Sequence, residues 1–554
     1  MLRHCRIAAA LTITIVSASS PTVASERLAY TFTPAPDEGI IRVELRWQTG
    51  DREQSTLAIQ PHWASVPDIP MLLKQVSVTA GKFRREENLW IIDHQPSAEI
   101  RCEYEIRGES QPDWDGSYYP IVTNDHFHGI GETFLITPND DDASSNEYDI
   151  SIDWKLPGAW PRAASSIGVG KHVSATLTLR DLRHAIYLAG HIQTRTQIVL
   201  DQPVTVAVAG EFEFSADELL SLCARIIGAE RNFLPEAPLP AYLITAVTIG
   251  RPLPKGSTSM GGTGLHNSFA LFLPPKAESN DALQHLLAHE LFHHWNGRVL
   301  DREQPEEIVY WFSEGLTEYY ALRLLYESGI WDVNTLCTWI NRHIAAYHRN
   351  PAKNATNEEI QREFWTKRKT VGQAPYQRGV LLAIRWHALA QQHDRGVRAS
   401  STPGIDALFH ELLRQAINDD TKLTNHRIRA AGIEKLGNWF ADEFDRFVIE
   451  AETIEFPPDA LAPAIVGKPA TIYEFALGFD RDRSIAERRI IDLVPDSPAA
   501  EAGLQENDEL TSWSIGDDPD RPVRLDIRRD DKTKTIRYVP RGQEIRVLRF
   551  EPTD

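Results

Sequence analysis

Cysteine is scarce in this chain of 554 residues, which has four: Cys5, Cys102, Cys223 and Cys337. No two of them are spaced like the ligands of a structural zinc site, so a cysteine-based metal domain is excluded. A small scaffold held by several disulfides is excluded too, because Cys5 lies in the leader segment described next and the other three can form at most one disulfide. The sequence does not say which pair would form it.

Long apolar runs are also missing. After residue 25 no stretch approaches the roughly 20 apolar residues that a membrane-spanning helix needs. At the N-terminus, Arg3 and Arg6 precede the short apolar run Ile7–Val16, and the small residues Val23-Ala24-Ser25 follow it. This order is typical of a secretory signal peptide. We therefore expect residues 1–25 to be removed and the mature protein to be periplasmic or secreted, with an uncleaved anchor as the alternative.

Basic residues are fewer than acidic residues. The 58 lysines and arginines are outnumbered by 78 aspartates and glutamates, which gives a formal net charge of −20. A polyanion of this kind repels the phosphate backbone of DNA and RNA. A nucleic-acid-binding function is therefore excluded.

The most informative feature that is present is His289-Glu290-Leu291-Phe292-His293, inside a run that predicts a helix over residues 281–295. Two histidines four residues apart share one helix face and can bind one Zn²⁺. A glutamate between them can take a proton from a water that the metal activates. His285 and His294 are predicted to lie outside the metal site. The alternative is a surface helix that happens to carry histidines.

A third ligand is required, because catalytic zinc sites have three protein ligands and one open position. The segment Trp311–Tyr320 supplies Glu314, and we predict that Glu314 is this ligand. Glu318 lies one helical turn later and can accept the second N–H of a ligand histidine. The alternative is two solvated carboxylates, which the aromatic character of the segment disfavours.

These two segments, HELFHHWN from His289 and WFSEGLTEYY from Trp311, resemble the gluzincin metallopeptidases and are most similar to the glycyl aminopeptidase family. The resemblance implies one Zn²⁺ per chain on His289, His293 and Glu314, with Glu290 as the general base. It also implies peptide or protein substrates. The segment Pro375–Gly379 resembles a further motif of related aminopeptidases, and it gives Tyr376 the role of stabilising the oxyanion.

A glycine-rich segment resembles the substrate-binding edge strand of the same aminopeptidases. The likeness rests on Gly261, Gly262, Asn267 and Ser268, and it places Gly264 where the relatives have the glutamate that binds the substrate amine. The missing carboxylate leaves three hypotheses open. The protein is an aminopeptidase with another amine anchor, an endopeptidase, or a peptide-binding periplasmic protein with a weak or inactive cleft.

The whole chain is predicted to be a multidomain α+β protein. After the signal peptide, alternating apolar and polar residues predict a β-rich N-terminal domain over residues 26–210. Helical patterns predict a thermolysin-like, mainly α catalytic domain over residues 211–455. A proline-rich linker is expected over residues 456–470, followed by a PDZ domain over residues 471–554.

The PDZ prediction rests on two segments of the C-terminal region. Phe475–Phe479 resembles a carboxylate-binding loop, and Val494–Leu504 resembles the strand-to-helix segment of bacterial PDZ domains. The resemblance implies that Leu477, Gly478 and Phe479 bind the C-terminal carboxylate of a peptide ligand. A module that only packs on the enzyme is the alternative.

Overall fold

The computed structural model describes residues 26–79, 81–114, 116–140, 146–237, 239–252, 259–394 and 404–553. The expected signal peptide lies outside these residues. Within them, no helix combines the length and the apolar character needed to cross a membrane. The chain divides into two compact units, Met1–Ile192 and Gln193–Asp554.

The first unit is built almost entirely of strands. Its strands are β1 Arg27–Ala35, β2 Ile40–Gln48, β3 Gln54–Ala58, β4 Leu73–Thr79, β5 Lys82–Glu86, β6 Leu89–Asp93, β7 Glu99–Arg107, β8 Ile121–Val122, β9 His126–Ile130, β10 Thr137–Pro138, β11 Glu147–Trp154, β12 Arg162–Ser165, β13 Gly168–Val169, β14 His172–Thr178 and β15 Ile186–Gly190, and its one described α-helix is α1 Leu179–Arg183.

These strands form three sheets, with the orders β14-β11-β1-β2-β7-β4, β10-β3-β6-β5 and β13-β12-β15-β9-β8. Apolar and polar residues alternate along β1, so one face is buried and the other is partly exposed. Phe32 of β1 lies at the centre of the core, where its ring meets those of Phe134, Trp154 and Tyr187 edge-on. The β-rich character predicted for the N-terminal region is confirmed.

The second unit combines a mixed sheet with helices and a small C-terminal module. Its strands are β16 Gln193–Val199, β17 Gln202–Ala209, β18 Tyr242–Thr248, β19 Gly261–Leu265, β20 Ser268–Leu273, β21 Ile465–Phe475, β22 Glu509–Ser514, β23 Val523–Arg529, β24 Lys532–Tyr538 and β25 Arg541–Pro552. Its helices are α2 Ala216–Phe233, α3 Asp281–Phe292, α4 Tyr310–Glu327, α5 Val333–Arg349, α6 Asn357–Glu363, α7 Ala374–Asp394, α8 Ile405–Asp419, α9 Asn425–Leu436, α10 Trp439–Phe444, α11 Arg481–Glu487 and α12 Pro498–Glu501.

The structure moves the predicted domain boundary at residue 210 to residue 192. The strands β16 and β17 belong to the five-stranded sheet of the second unit, in the order β16-β17-β18-β20-β19. β17 runs parallel to β18, with Val204 opposite Tyr242. An apolar strand pattern predicts that β17 is a strand, but it carries no information on which sheet the strand joins.

The predicted linker also needs correction. β21 begins at Ile465, inside the expected linker of residues 456–470, and pairs antiparallel with β25. Ala460, Ile465 and Phe550 are buried in the same hydrophobic core as α3 and α4. The prolines suggested an exposed connection, whereas the apolar residues between them anchor the C-terminal strands to the helical region.

The remaining C-terminal residues build a module with a core of its own. Its three-stranded sheet has the order β22-β23-β24. The core contains Leu510, Leu525, Ile527 and Tyr538. The PDZ identity of this module stays a prediction.

Candidate metal centre

Three predicted ligands meet in the second unit. The Nε2 atoms of His289 and His293 lie 3.0 Å apart, and Oε2 of Glu314 lies 3.5 Å from the first and 3.3 Å from the second. Ligands about 2.0–2.1 Å from a tetrahedral Zn²⁺ are separated by about 3.3–3.4 Å. The three donor atoms therefore have the spacing that a single zinc ion needs, and together they form a cluster that can hold a metal ion.

The end of α3 sets the orientation of His293. The helix was predicted to reach residue 295, whereas α3 ends at Phe292, and Asn296 beyond it has the non-helical angles φ −94° and ψ 65°. The carbonyl oxygen of Asn296 lies 3.0 Å from Nδ1 of His293. That nitrogen therefore carries the proton as the donor, which leaves Nε2 of His293 free for a metal.

Asn296 also joins the two ligand-bearing helices. Its buried Nδ2 donates to the carbonyl oxygen of Ser313 at 3.0 Å and to Oγ1 of Thr317 at 3.1 Å. These two acceptors flank Glu314 on α4. The sequence showed Asn296 only as part of a family motif, and the structure shows that it docks α4 against the end of α3.

Glu318 lies beside the metal centre, one turn after Glu314 on α4. Its Oε1 is 3.4 Å from Nδ1 of His289, and its Oε2 is 2.6 Å from Nε2 of His285. His343 of α5 approaches the same Oε2 at 3.7 Å. Sequence reasoning selected Glu318 and placed His285 outside the metal site. It missed His343, because the local sequence pattern does not show that α5 packs beside α4.

The electrostatics of the centre follow from burial and carboxylates. Burial opposes protonation of His289, but Glu318, Glu314 and Glu290 outweigh it and raise the pKa of His289 to about 9. Burial raises the pKa of Glu290 above its usual value. A carboxylate with a raised pKa is suited to accept a proton from water and then return it.

Tyr376 is brought to this centre by the close crossing of α4 and α7. A Cβ atom on Gly315 would lie 2.2 Å from Cα of Gly379, and one on Gly379 would lie 1.8 Å from the carbonyl oxygen of Trp311. Only glycines allow the helices to approach so closely. The ring of Tyr376 is 6.3 Å from that of His289.

The phenol of Tyr376 is kept protonated by its surroundings. Burial, followed by the carboxylates of Glu314 and Glu290, raises the pKa of Tyr376. A protonated phenol beside the metal ligands can donate a hydrogen bond to an oxygen atom that gains negative charge.

Arg302 is a neighbour that sequence reasoning missed. Its Nη1 lies 3.6 Å from Oε1 of Glu314, and its Nη2 lies 3.0 Å from Oε2 of Glu306. Its guanidinium carbon is 5.5 Å from the ring centre of Tyr310. Arg302 therefore faces the oxygen of Glu314 that does not point at the histidines.

The predicted substrate strand, β19, forms the edge of its sheet. A Cβ atom on Gly262 would lie 2.2 Å from the ring of Phe269, so this position accepts only glycine. Gly264 differs, because the nearest atom to its added Cβ would be the carbonyl oxygen of Glu290 at 3.8 Å. Gly261 begins the strand. The backbone of β19 thus passes next to Glu290, and position 264 has room for a side chain.

The predicted peptide-binding loop of the C-terminal module is well packed. Leu477 and Phe479 are buried in the core of the module. The carbonyl oxygens of Leu477 and Gly478 accept hydrogen bonds from Tyr538 Oη and the Val494 backbone N–H. The helix α11 follows this loop, in place of a strand that could pair with a ligand. Peptide binding at Leu477, Gly478 and Phe479 stays a prediction.

Comparison with known proteins finds a similar sequence family and similar folds. Residues 282–381 match the sequence profile of the family described as M61 glycyl aminopeptidase. No curated protein matches the chain. Among solved structures, an aminopeptidase N family protein from Idiomarina loihiensis has a TM-score of 0.68 at 15% identity, with 94% of this chain and 98% of that chain covered. An M1 zinc metallopeptidase from Deinococcus radiodurans has a TM-score of 0.49 at 15% identity, with 78% and 96% covered.

The profile match spans α3, α4, α5, α6 and the start of α7, and so includes the three predicted metal ligands, Glu290 and Tyr376. The likeness to the Idiomarina protein extends over nearly the whole chain and concerns the fold. The chain is thus similar to M61 glycyl aminopeptidases over residues 282–381 and to an aminopeptidase N family protein in its fold, and the family match supports a peptidase.

Proposed function

We propose that the protein is a zinc-dependent metallopeptidase that hydrolyses peptide bonds and removes residues from the N-terminus. The observation that carries this proposal is the spacing of His289, His293 and Glu314, whose donor atoms are 3.0–3.5 Å apart. The profile match to a peptidase family and the nearby Glu290 and Tyr376 support it.

Each residue of the site has a separate role in the proposed hydrolysis of a peptide bond. A Zn²⁺ ion on the three ligands supplies Lewis acidity, which lowers the pKa of water towards neutrality and polarises a carbonyl group. Glu290 accepts the proton of the attacking water and passes it to the leaving amine. Tyr376 donates its O–H to the carbonyl oxygen as negative charge develops there.

Substrate alignment is assigned to β19. A peptide can bind to the edge of a sheet as an additional strand. A Cβ atom on Gly264 would lie 3.8 Å from the backbone carbonyl oxygen of Glu290, so a peptide on β19 would pass beside the helix that carries the general base. Because position 264 lacks a carboxylate, the substrate amine needs an anchor elsewhere, and endopeptidase activity is the second candidate.

Paired peptides distinguish the candidates. The zinc-loaded protein is incubated with peptides of one sequence, with free or acetylated N-termini, and the cuts are mapped by mass spectrometry. We expect loss of the first residue from the free peptides and no such loss from the acetylated ones. Internal cuts in both forms would establish an endopeptidase. No cleavage of a broad peptide library by zinc-loaded protein would contradict a peptidase and favour a peptide-binding protein.

The substitution Gly264→Glu should increase the preference for free N-termini. The added side chain has room, since among the described residues the nearest atom to its Cβ would be the carbonyl oxygen of Glu290 at 3.8 Å. One charge-assisted hydrogen bond of about 1.5–3 kcal/mol predicts a gain of about 10- to 100-fold in the ratio of kcat/KM for free over acetylated peptides. Gly264→Gln is the matched control without charge. Equal ratios in the two variants would show that no substrate amine reaches this position.

The compartment and the C-terminal module belong to the same proposal. We assign the protein to the periplasm or the secreted fraction on the basis of residues 1–25. The C-terminal module is proposed to be a PDZ domain with a peptide ligand, and its sequence motifs support this assignment.

A further inference from the structure

The two helices that carry the metal ligands each carry a second polar residue four positions away. On α3, His285 lies one turn before His289, and on α4, Glu318 lies one turn after Glu314. The inner pair, His289 and Glu314, has its donor atoms 3.5 Å apart. The outer pair, His285 and Glu318, is joined directly at 2.6 Å between Nε2 and Oε2.

The ring of His285 is held in place from α5. It stacks on the ring of Trp339 at 4.2 Å between ring centres. Trp339 in turn donates its Nε1–H to Asp281 at the start of α3, at 3.0 Å. The imidazole is thus fixed on one side by an aromatic face and on its edge by the carboxylate of Glu318.

A second metal ion is the other reading of this cluster, because His285, Glu318 and His343 have nitrogen and oxygen atoms close enough to share one. The distances favour a hydrogen bond instead. Two ligands 2.6 Å apart on one zinc ion, with ordinary bond lengths, would enclose an angle of about 80°, far below that of a tetrahedral site. The donors of the first cluster lie 3.0–3.5 Å apart, which at the same bond lengths corresponds to angles of about 94–117°, around the tetrahedral value.

We propose that His285 is a positioning residue for the zinc site. Its hydrogen bond holds Glu318 with Oε1 3.4 Å from Nδ1 of His289, a buried nitrogen that makes no hydrogen bond to any described residue. This contact directs Nε2 of His289 towards the metal and sets the separation of α3 and α4. The inference rests on the zinc site of the proposed function.

The contacts from His285 through Glu318 to His289 predict the effects of single and double substitutions on zinc affinity. Outer partners of a metal-binding histidine typically contribute 10- to 100-fold to metal affinity. His285→Phe keeps a ring on Trp339 and removes the hydrogen bond, so we expect zinc to bind about 10- to 100-fold more weakly. Since His285 acts through Glu318, the double variant with Glu318→Gln should bind zinc as Glu318→Gln alone does.

Zinc affinity of the full-length protein is measured by competition with a chromophoric chelator, and the Co²⁺ absorption spectrum reports the ligand geometry. His285→Gln and His285→Asn form a second test, because the glutamine amide reaches the position of Nε2 and the asparagine amide does not. The glutamine variant should keep most of the affinity and the asparagine variant should lose it. His348→Phe, on α5 and packed beside Tyr347, is the control and should bind zinc normally.

Four results have defined meanings. A folded His285→Phe protein with wild-type zinc affinity overturns the inference, as does equal affinity of the glutamine and asparagine variants. Two zinc ions per wild-type chain, with one lost in His285→Phe, would establish a second metal site and overturn it as well. Failure of the wild-type protein to bind zinc would instead reject the proposed function.

Discussion

Glu290→Gln should retain one zinc ion per chain and lose turnover by on the order of 10²–10⁴-fold, the usual contribution of a general acid–base residue. The side chain is not one of the three metal ligands, so an amide of the same size leaves the metal centre intact. An amide cannot accept a proton from water near neutral pH, and it cannot return one to the leaving amine. The loss should therefore fall on kcat, with a much smaller change in KM.

Glu278→Gln is the control for this variant. It makes the same chemical change at an exposed position just before α3, and it should leave both zinc content and turnover unchanged. Metal analysis and initial rates on one peptide substrate measure both quantities. Turnover of Glu290→Gln within about tenfold of the wild type would remove the general-base role, which is expected to contribute more than that.

The proximity of the two histidines could be predicted because its geometry is local. His289 and His293 share a face of α3 by the period of the helix alone. Glu314 and Glu318 follow from the same rule on α4. The sequence also showed that one position, Gly264, departs from the related aminopeptidases, and the structure adds that this position has space next to Glu290.

The contacts that were missed join residues of different structural elements. Asn296 bonds across to Ser313 and Thr317, and His343 reaches Glu318 only because α5 packs beside α4. No periodicity within a single helix encodes such contacts. The sequence shows that these positions hold an asparagine and a histidine, but it does not show which residues they contact.

The same limit applies to the fold. Strand patterns predicted that residues 204–208 form a strand, yet the parallel pairing of β17 with β18 assigns it to the second unit. Proline content suggested a linker, yet Ile465 and Phe550 are packed in the helical core. The composition of a segment indicates only its local preference. Which sheet a strand joins, and whether a proline-rich segment is buried, depend on residues far away in the sequence.

Glu314→Ala should abolish zinc retention. It removes the only carboxylate among the three ligands, and the two remaining imidazoles cannot complete a catalytic zinc site. After dialysis we expect less than about a tenth of an equivalent of zinc per chain, because metal binding depends on the number and identity of the ligands. Glu327→Ala, at an exposed position of the same helix, should retain full zinc and activity.

Glu314→Asp provides a graded test of the same role. It keeps the charge but withdraws the carboxylate by one methylene, about 1.5 Å, from a cluster whose donor atoms are 3.3–3.5 Å apart. Zinc affinity should fall between those of the wild type and the alanine variant, and turnover should follow the zinc content. Full zinc retention by Glu314→Ala would mean that another group completes the site, and the nearby Glu318 would be the first residue to examine by a double substitution. The alanine variant therefore measures the effect of losing the carboxylate, and the aspartate variant measures the effect of moving it away by one methylene.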